Sequence, residues 1–314
     1  MHKYLGHSMD YELAIIGAGP AGYSAGIYAV RVGIKTVIFD RGDGGGRAVL
    51  SPKIENYAGF ESISGMELME KMKHHASKYV TFHFHEEVKK IEQSGITFTV
   101  ETGKGKYTVG AILLCTGTEH KTLEISGEEE FLGKGVSYCA TCDGYFFKGK
   151  RVAVIGGGNT AVMEAIFLKQ IGCKEVTLIH RRDLLKADKT YQGQAREKHV
   201  QILLNKTVEK IDGKETVTSL HLTDVVSGKK SVLEVDGVFV SIGDKPQNEL
   251  ARQLKIKLDE QGYIVVDRQQ RTNVKGVYAA GDITGGLRQV ISACAEGAIA
   301  ALASTEVLGK KYPY

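Results

Sequence analysis

Cysteine is scarce in this chain, with five residues among 314 (Cys115, Cys139, Cys142, Cys173 and Cys294), and only one pair is closely spaced. That scarcity rules out the disulfide framework of a small secreted domain. Excess charge is also missing: 41 Lys and Arg stand against 37 Asp and Glu, a net +4 with the basic residues scattered. Without a basic stripe, nucleic acid is not an expected partner. No apolar run approaches the ~18 residues that span a bilayer, and Met1 to Asp10 lack the apolar core of a signal peptide, so no membrane association and a cytoplasmic location are expected. Met9 could be the true start. Zinc is not expected either, because the three outlying cysteines are isolated and His83-Phe84-His85 alternates as a strand would. Those cysteines read as small buried hydrophobes.

Glycine, by contrast, is abundant, with 38 residues. The first apolar run, Tyr11–Ile16, suits a buried parallel strand and feeds Gly17-Ala18-Gly19-Pro20-Ala21-Gly22, where a helix must open. Gly17 permits the tight turn, Gly19 clears the path of a pyrophosphate, and Gly22 allows close helix-strand packing. A second strand, 35–39, ends in Asp40, an acid at the chain distance that meets a ribose hydroxyl. The nucleotide bound here should therefore lack a 2′-phosphate, as FAD and NAD do.

The same grammar recurs from Arg151: a strand at 152–155, the turn Gly156-Gly157-Gly158-Asn159-Thr160-Ala161, a helix to about Ile171, and a strand at 175–179. This time His180-Arg181-Arg182 replace the acid. Two guanidinium groups there offer bidentate donors to a 2′-phosphate and predict NADPH; the competing reading is a solvated charge cluster after a strand. Between the two turns lies Cys139-Ala140-Thr141-Cys142-Asp143-Gly144, a CxxC with a carboxylate beside it. Two dinucleotides and one thiol pair suggest a disulfide reductase, with Asp143 placed to shuttle the proton of thiol exchange. The competing reading of Asp143 is a turn residue before glycine.

Toward the C-terminus, Gly276-Val277-Tyr278-Ala279-Ala280-Gly281-Asp282 reads as a short strand ending in Gly-Asp, before a helix from about Gln289 to Val307. Asp282 could accept from a flavin hydroxyl, and Arg288, Gln289 and Val290 begin a helix whose amides face anionic groups. The alternative for Asp282 is a cap before a turn. If this element binds flavin, the first domain is discontinuous. The chain would leave it near Cys115-Thr116-Gly117-Thr118 and return through Ser241-Ile242-Gly243-Asp244-Lys245-Pro246. The fold expected is α/β, with two Rossmann-like three-layer nucleotide-binding domains: 1–119 with 247–314 for FAD, and 120–246 for NADPH, the latter carrying the CxxC.

In combination and order these motifs resemble the thioredoxin reductases of low molecular weight over almost the whole chain. The likeness rests on Gly17 to Gly22, Glu55-Asn56-Tyr57-Ala58-Gly59-Phe60, Thr116-Gly117-Thr118, the Cys139 to Gly144 hexapeptide, Gly156 to Ala161, His180-Arg181-Arg182 and Ala280-Gly281-Asp282. It implies FAD, NADPH, a homodimer, thioredoxin or a thioredoxin-like protein as partner, and a CxxC-bearing domain that rotates between flavin and partner. By the same resemblance Cys142 faces the flavin, Cys139 is the interchange thiol, and Gly46, Arg47, Asn56, Thr116, Gly117, Ile242 and Gly243 join the cofactor sites. Three positions depart from the family pattern: Arg47-Ala48 in place of Gln-Leu, Tyr57-Ala58-Gly59 in place of an aromatic-Pro-Gly, and Asp244-Lys245-Pro246-Gln247-Asn248 in place of His-x-Pro-Asn-Thr. The rival readings keep the fold and change the client, to a glutaredoxin-like or small-molecule disulfide, or change the donor, to ferredoxin or a deazaflavin. The intact glycine motif and arginines argue for NADPH.

Overall fold

A computed structural model describes residues 9–51 and 53–311. In chain order the main elements begin with β1 (Tyr11–Ile16), α1 (Pro20–Arg31), β2 (Thr36–Phe39), α2 (Gly65–Ser77), β3 (Thr81–His83), β4 (Val88–Ser94), β5 (Thr97–Thr102), β6 (Lys106–Leu114) and β7 (Thr118–His120). Next come β8 (Val136–Ser137), α3 (Ala140–Asp143), β9 (Arg151–Ile155), α4 (Asn159–Gln170), β10 (Glu175–Ile179), α5 (Lys189–Glu197), β11 (Gln201–Leu203), β12 (Lys206–Gly213), β13 (Val217–Asp224), β14 (Lys230–Glu234) and β15 (Gly237–Val240). The last are β16 (Asp244–Pro246), α6 (Glu249–Gln253), β17 (Val277–Ala279) and α7 (Val290–Ala303). The chain divides into two compact units. One holds the described residues to Glu119 with those from Lys245 onward, and the other is His120–Asp244.

The first unit is built on a seven-stranded sheet ordered β3-β2-β1-β6-β5-β4, with β17 pairing the C-terminal end of β6 beyond the stretch that β5 covers. Strands β3, β2, β1, β6 and β17 run parallel, while β4 and β5 are antiparallel. A parallel strand covered on both faces needs apolar residues at every covered position, and β1 meets that need from Leu13 to Ile16. Leu13 and Ile15 enter the core under α1 and α7, whereas Ala14 and Ile16 enter the core on the opposite face with Phe39, Ile112 and Ile283. Each such Leu or Ile, fully buried, contributes roughly 1.5–3 kcal/mol. α1 and α7 pack tightly enough that a Cβ on Gly297 would lie 2.1 Å from the Ala21 carbonyl oxygen.

The second unit has a five-stranded parallel sheet, β11-β10-β9-β15-β8, and a separate antiparallel sheet, β12-β13-β14. Alternation again splits the central strand: Val152 and Val154 pack with α4, while Ala153 and Ile155 pack with Ile211, Leu220 and Leu222 of the antiparallel sheet. At the edge, β8 pairs with β15 and leads directly into the CxxC turn. Strands β7 and β16, in the two stretches where the chain passes between units, pair with each other. Among the described residues no helix is long and apolar enough to cross a membrane.

Candidate active site

In the first unit the site begins where β1 gives way to α1. Gly17 holds φ +112°, and a Cβ there would sit 2.2 Å from the Cys115 carbonyl oxygen. Gly22 is equally constrained: its Cβ would lie 2.0 Å from the Gly17 carbonyl oxygen. Gly19 differs, being extended at φ −85°, with only the Gly46 Cα near, at 4.0 Å. Two positions thus enforce the turn and the third leaves its outer face open to a ligand. Pro20 opens α1 without an amide hydrogen to satisfy, Ala21 follows it, and no side chain caps the first turn.

Asp40 ends β2 and accepts hydrogen bonds from the Ala18 amide at 2.7 Å and the Gly42 amide at 2.8 Å. These bonds fix the carboxylate against the glycine turn, and a carboxylate retains lone pairs for a ribose hydroxyl. Gly46 faces Gly19, its Cβ position 3.4 Å from the Gly19 Cα. Arg47 donates to the Thr118 hydroxyl and lies 3.8 Å from the Asp282 carboxylate. Asn56 donates to Gln289 at 2.9 Å, one residue before α7 begins at Val290. Thr116 and Gly117 bond instead to the backbone of Gln247, at 2.7 and 3.0 Å. Arg288 takes a left-handed φ of 52° and its guanidinium reaches the Tyr263 hydroxyl at 3.5 Å.

One residue here escapes sequence reasoning. Glu296 accepts the Gly281 amide at 2.7 Å and the Thr284 hydroxyl at 3.2 Å, bracing the Gly281-Asp282 turn, where Gly281 holds φ +82°. Burial pushes its carboxyl above the ordinary range, opposed by those two hydrogen bonds. A lone acid in the otherwise small and apolar α7 was the available signal.

The second unit repeats the turn with different occupants. A Cβ on Gly156 would lie 2.3 Å from the Ser241 carbonyl oxygen, and one on Gly157 would fall within 2.2 Å of the His180 ring. Gly158, before the first turn of α4, has nothing within 4 Å of its Cβ position. Ala161 takes the third position and is wholly buried. Asn159 is committed to Asp188 by reciprocal bonds of 2.9 and 2.8 Å, while Thr160 is exposed. Together with bonds from the Lys186 and Ala187 amides to the Gly157 carbonyl, the Asn159–Asp188 pair pins the segment after β10 to the glycine turn.

His180 is 9% exposed, and its Nε2 has no partner among the described residues. Burial first, then Arg182 and Arg181, lowers its pKa and keeps the ring neutral. Arg181 and Arg182 are exposed, and neither forms an ion pair among the described residues. Ile242 packs against the core of the second unit, and the Gly243 carbonyl accepts the Lys121 amide at 3.1 Å. Asp244, one of the departures from the family pattern, pairs with His120 at 2.8 Å.

Cys139 and Cys142 form a disulfide with Cα atoms 5.3 Å apart. Cys139 caps α3, so the Cys142 amide points at its sulfur from 3.2 Å, a donor that favours a thiolate once the bond opens. The Asp143 amide donates to the Cys139 carbonyl at 3.1 Å, and its carboxylate accepts the Ser137 hydroxyl at 2.6 Å. Burial raises its pKa, against the lowering effect of that bond. The other three cysteines are free thiols: Cys115 and Cys173 are buried and Cys294 half-buried. Among the described residues no group of three or more His, Cys, Asp or Glu is arranged to hold a metal.

A redox disulfide with two glycine turns of this construction is the equipment of a disulfide reductase that works with nucleotide cofactors. The chain matches pyridine nucleotide-disulphide oxidoreductases over residues 11–297 and belongs to that family. It is 42% identical over 294 residues to a thioredoxin reductase of Listeria innocua, covering 92% of this chain and 91% of the relative. A thioredoxin reductase of Treponema pallidum is 42% identical over 302 residues, covering 95% and 97%. Among solved structures, a thioredoxin reductase from Streptococcus pyogenes superposes with TM-score 0.88 at 36% identity, covering 95% of this chain and 98% of that one. One from Giardia duodenalis gives 0.90 at 32% identity, covering 95% and 99%. FAD and NADPH are the cofactors that go with this membership.

Proposed function

We propose that this protein is a thioredoxin-disulfide reductase, a cytoplasmic homodimer that passes two electrons from NADPH through FAD and the Cys139–Cys142 pair to the disulfide of thioredoxin or a thioredoxin-like protein. The observation that carries the reading is the closed disulfide of a CxxC turn with the partly buried acid Asp143 beside it, in the same unit as a glycine turn followed by two exposed arginines. When bound, FAD supplies two-electron transfer between a nicotinamide and a disulfide.

The protein's own groups do the rest. In this reading the open face of Gly19 and the uncapped first turn of α1 receive the FAD pyrophosphate, with Pro20, Ala21 and Gly46 lining its path and Asp40 accepting a ribose hydroxyl. Arg47, Asn56, Thr116, Gly117, Gly281, Asp282, Arg288, Gln289 and Val290 complete that site. Gly156, Gly158, Asn159, Thr160 and Ala161 shape the NADPH site with Ile242 and Gly243, and Arg181 and Arg182 hold the 2′-phosphate over the neutral His180. Cys142 takes the electrons, Cys139 exchanges with the partner, and Asp143 moves the proton.

Anaerobic mixing with NADPH, and then with oxidised thioredoxin, tests the whole route. The flavin absorbance should bleach and then recover. Bleaching without recovery would give the disulfide another client. An oxidised flavin that NADPH leaves untouched, while dithionite bleaches it, would overturn the assignment of Arg181 and Arg182.

A further inference from the structure

We propose that Ser137 is a positioning residue of the thiol-disulfide exchange, orienting Asp143 so that one carboxyl oxygen is held and the other carries the transferable proton. This role rests on the exchange reaction of the proposed function.

Ser137 ends the edge strand β8, is 4% exposed, and lies two residues before the CxxC. Its hydroxyl donates to Asp143 Oδ2 at 2.6 Å and accepts the Cys139 amide at 3.0 Å. One oxygen atom therefore ties the acid to the backbone of the cysteine whose partner chemistry it serves. β8 is itself fixed by pairing with β15, Ser137 opposite Phe239, so the tether hangs from the sheet and not from a loop. The second carboxyl oxygen, Oδ1, is buried with no hydrogen-bond partner among the described residues. A buried, undonated carboxylate oxygen is disfavoured as an anion, which makes Oδ1 the atom that bears the proton.

The surroundings leave few rivals for that proton. From α4 and its C-cap, the side chains nearest the Gly144 Cβ position are Phe167, Leu168 and Ile171, none of them titratable. Within the turn itself the titratable groups are Cys139 and Cys142. Burial raises the Asp143 pKa and the Ser137 bond opposes it, with no charged side chain contributing.

The exchange then balances in two steps. With the pair reduced, the Cys139 thiolate attacks one sulfur of the partner disulfide, a Cys139–partner bond forms, and the departing partner sulfur leaves with the electron pair and takes the Asp143 proton. Cys142 returns its proton to Asp143, attacks Cys139 to close the Cys139–Cys142 bond, and expels the second partner sulfur, which takes that proton in turn. Two thiols leave, and the buried Asp143 carboxylate regains its proton from solvent.

A leaving sulfur that is stable as a thiolate has no use for Asp143, and this supplies the test. The holoprotein, reduced with dithiothreitol and desalted, is mixed with an aliphatic disulfide, hydroxyethyl disulfide, or an aromatic one, 5,5′-dithiobis(2-nitrobenzoate). Ser137→Ala should slow the aliphatic reaction about tenfold, the loss of one hydrogen bond to a charged group, and leave the aromatic one within about twofold. The alkaline fall of the aliphatic pH profile should move to higher pH, because the lost bond was lowering the Asp143 pKa. In an Asp143→Asn background the Ser137→Ala effect should vanish, and Ser137→Thr should restore the parent rate. Equal slowing of both disulfides, persistence in the Asp143→Asn background, or no slowing at all would each overturn the proposal. Neither probe involves thioredoxin or NADPH, so a failure of the proposed function would leave this outcome readable.

Discussion

The two glycine turns of this chain are the same backbone solution applied to opposite electrostatic ends. Both place a strand, a glycine that tolerates no Cβ, and an open glycine at the N-terminus of a long helix. They part at the residues that end the next strand. Asp40 spends its charge on two backbone amides around the first turn, whereas the neutral ring of His180 fills the space under Gly157 and leaves two exposed guanidinium groups beyond it. In the proposed function the backbone of each turn receives a phosphate, and the residues after the strand select the nucleotide.

The largest effect that would break this equivalence is at the third motif position. Gly22→Val drives a side chain into the Gly17 carbonyl, so a cost above about 4 kcal/mol and loss of folded, flavin-retaining protein are expected. Ala161→Gly, at the matching position, should cost only about 1 kcal/mol, the ordinary helix penalty, and the protein should remain yellow. Denaturant midpoints of the two variants check the pair; similar losses would show that the turns are not built alike. Next in size is Arg181→Ala with Arg182→Ala, which should raise the KM for NADPH on the order of 100-fold while leaving NADH within a fewfold. An equal effect on both nucleotides would return the arginines to ordinary surface charge.

The smallest difference sharpens the contrast at His180. Its folded pKa is depressed below the unfolded value, so the unfolded chain binds the extra proton and stability is full above about pH 6.5, then falls as pH drops toward the folded pKa. His180→Gln should flatten that part of the Tm profile below about pH 6.5 and leave Tm at about pH 8 little changed. An unaltered slope would place the acid sensitivity elsewhere.

Sequence reading succeeded where backbone geometry dictates residue type. β1 falls at Tyr11–Ile16 and β10 at 175–179 as the apolar runs predict, and Gly17 and Gly22 have the constraints that a tight turn and close packing require. Boundaries drifted where the local signal fades. β2 begins at Thr36, one residue late, and α7 ends at Ala303 although the apolar pattern runs to Val307. Of His83-Phe84-His85 only His83 lies in a strand, because His85 turns to φ 52°. Contacts made across long stretches of chain stayed hidden. Arg47 beside Asp282, Asn56 beside Gln289 and Glu296 under Gly281 are products of folding that no spacing reports. Ser137 was near enough to the CxxC to be noticed, but its worth depends on which way α3 turns Asp143, and local sequence does not encode that direction.

The burial of the three remaining thiols has a practical consequence for anyone counting electrons in this protein. Burial pushes the Cys115 thiol far up and brings Cys173 and Cys294 to about 11, so at neutral pH only on the order of one in ten thousand of the latter two is in the reactive thiolate form. An alkylating reagent applied after brief reduction will therefore mark Cys139 and Cys142 almost alone. The number of labels per chain, read as a mass increase, becomes a direct gauge of how much of the population holds its electrons on sulfur.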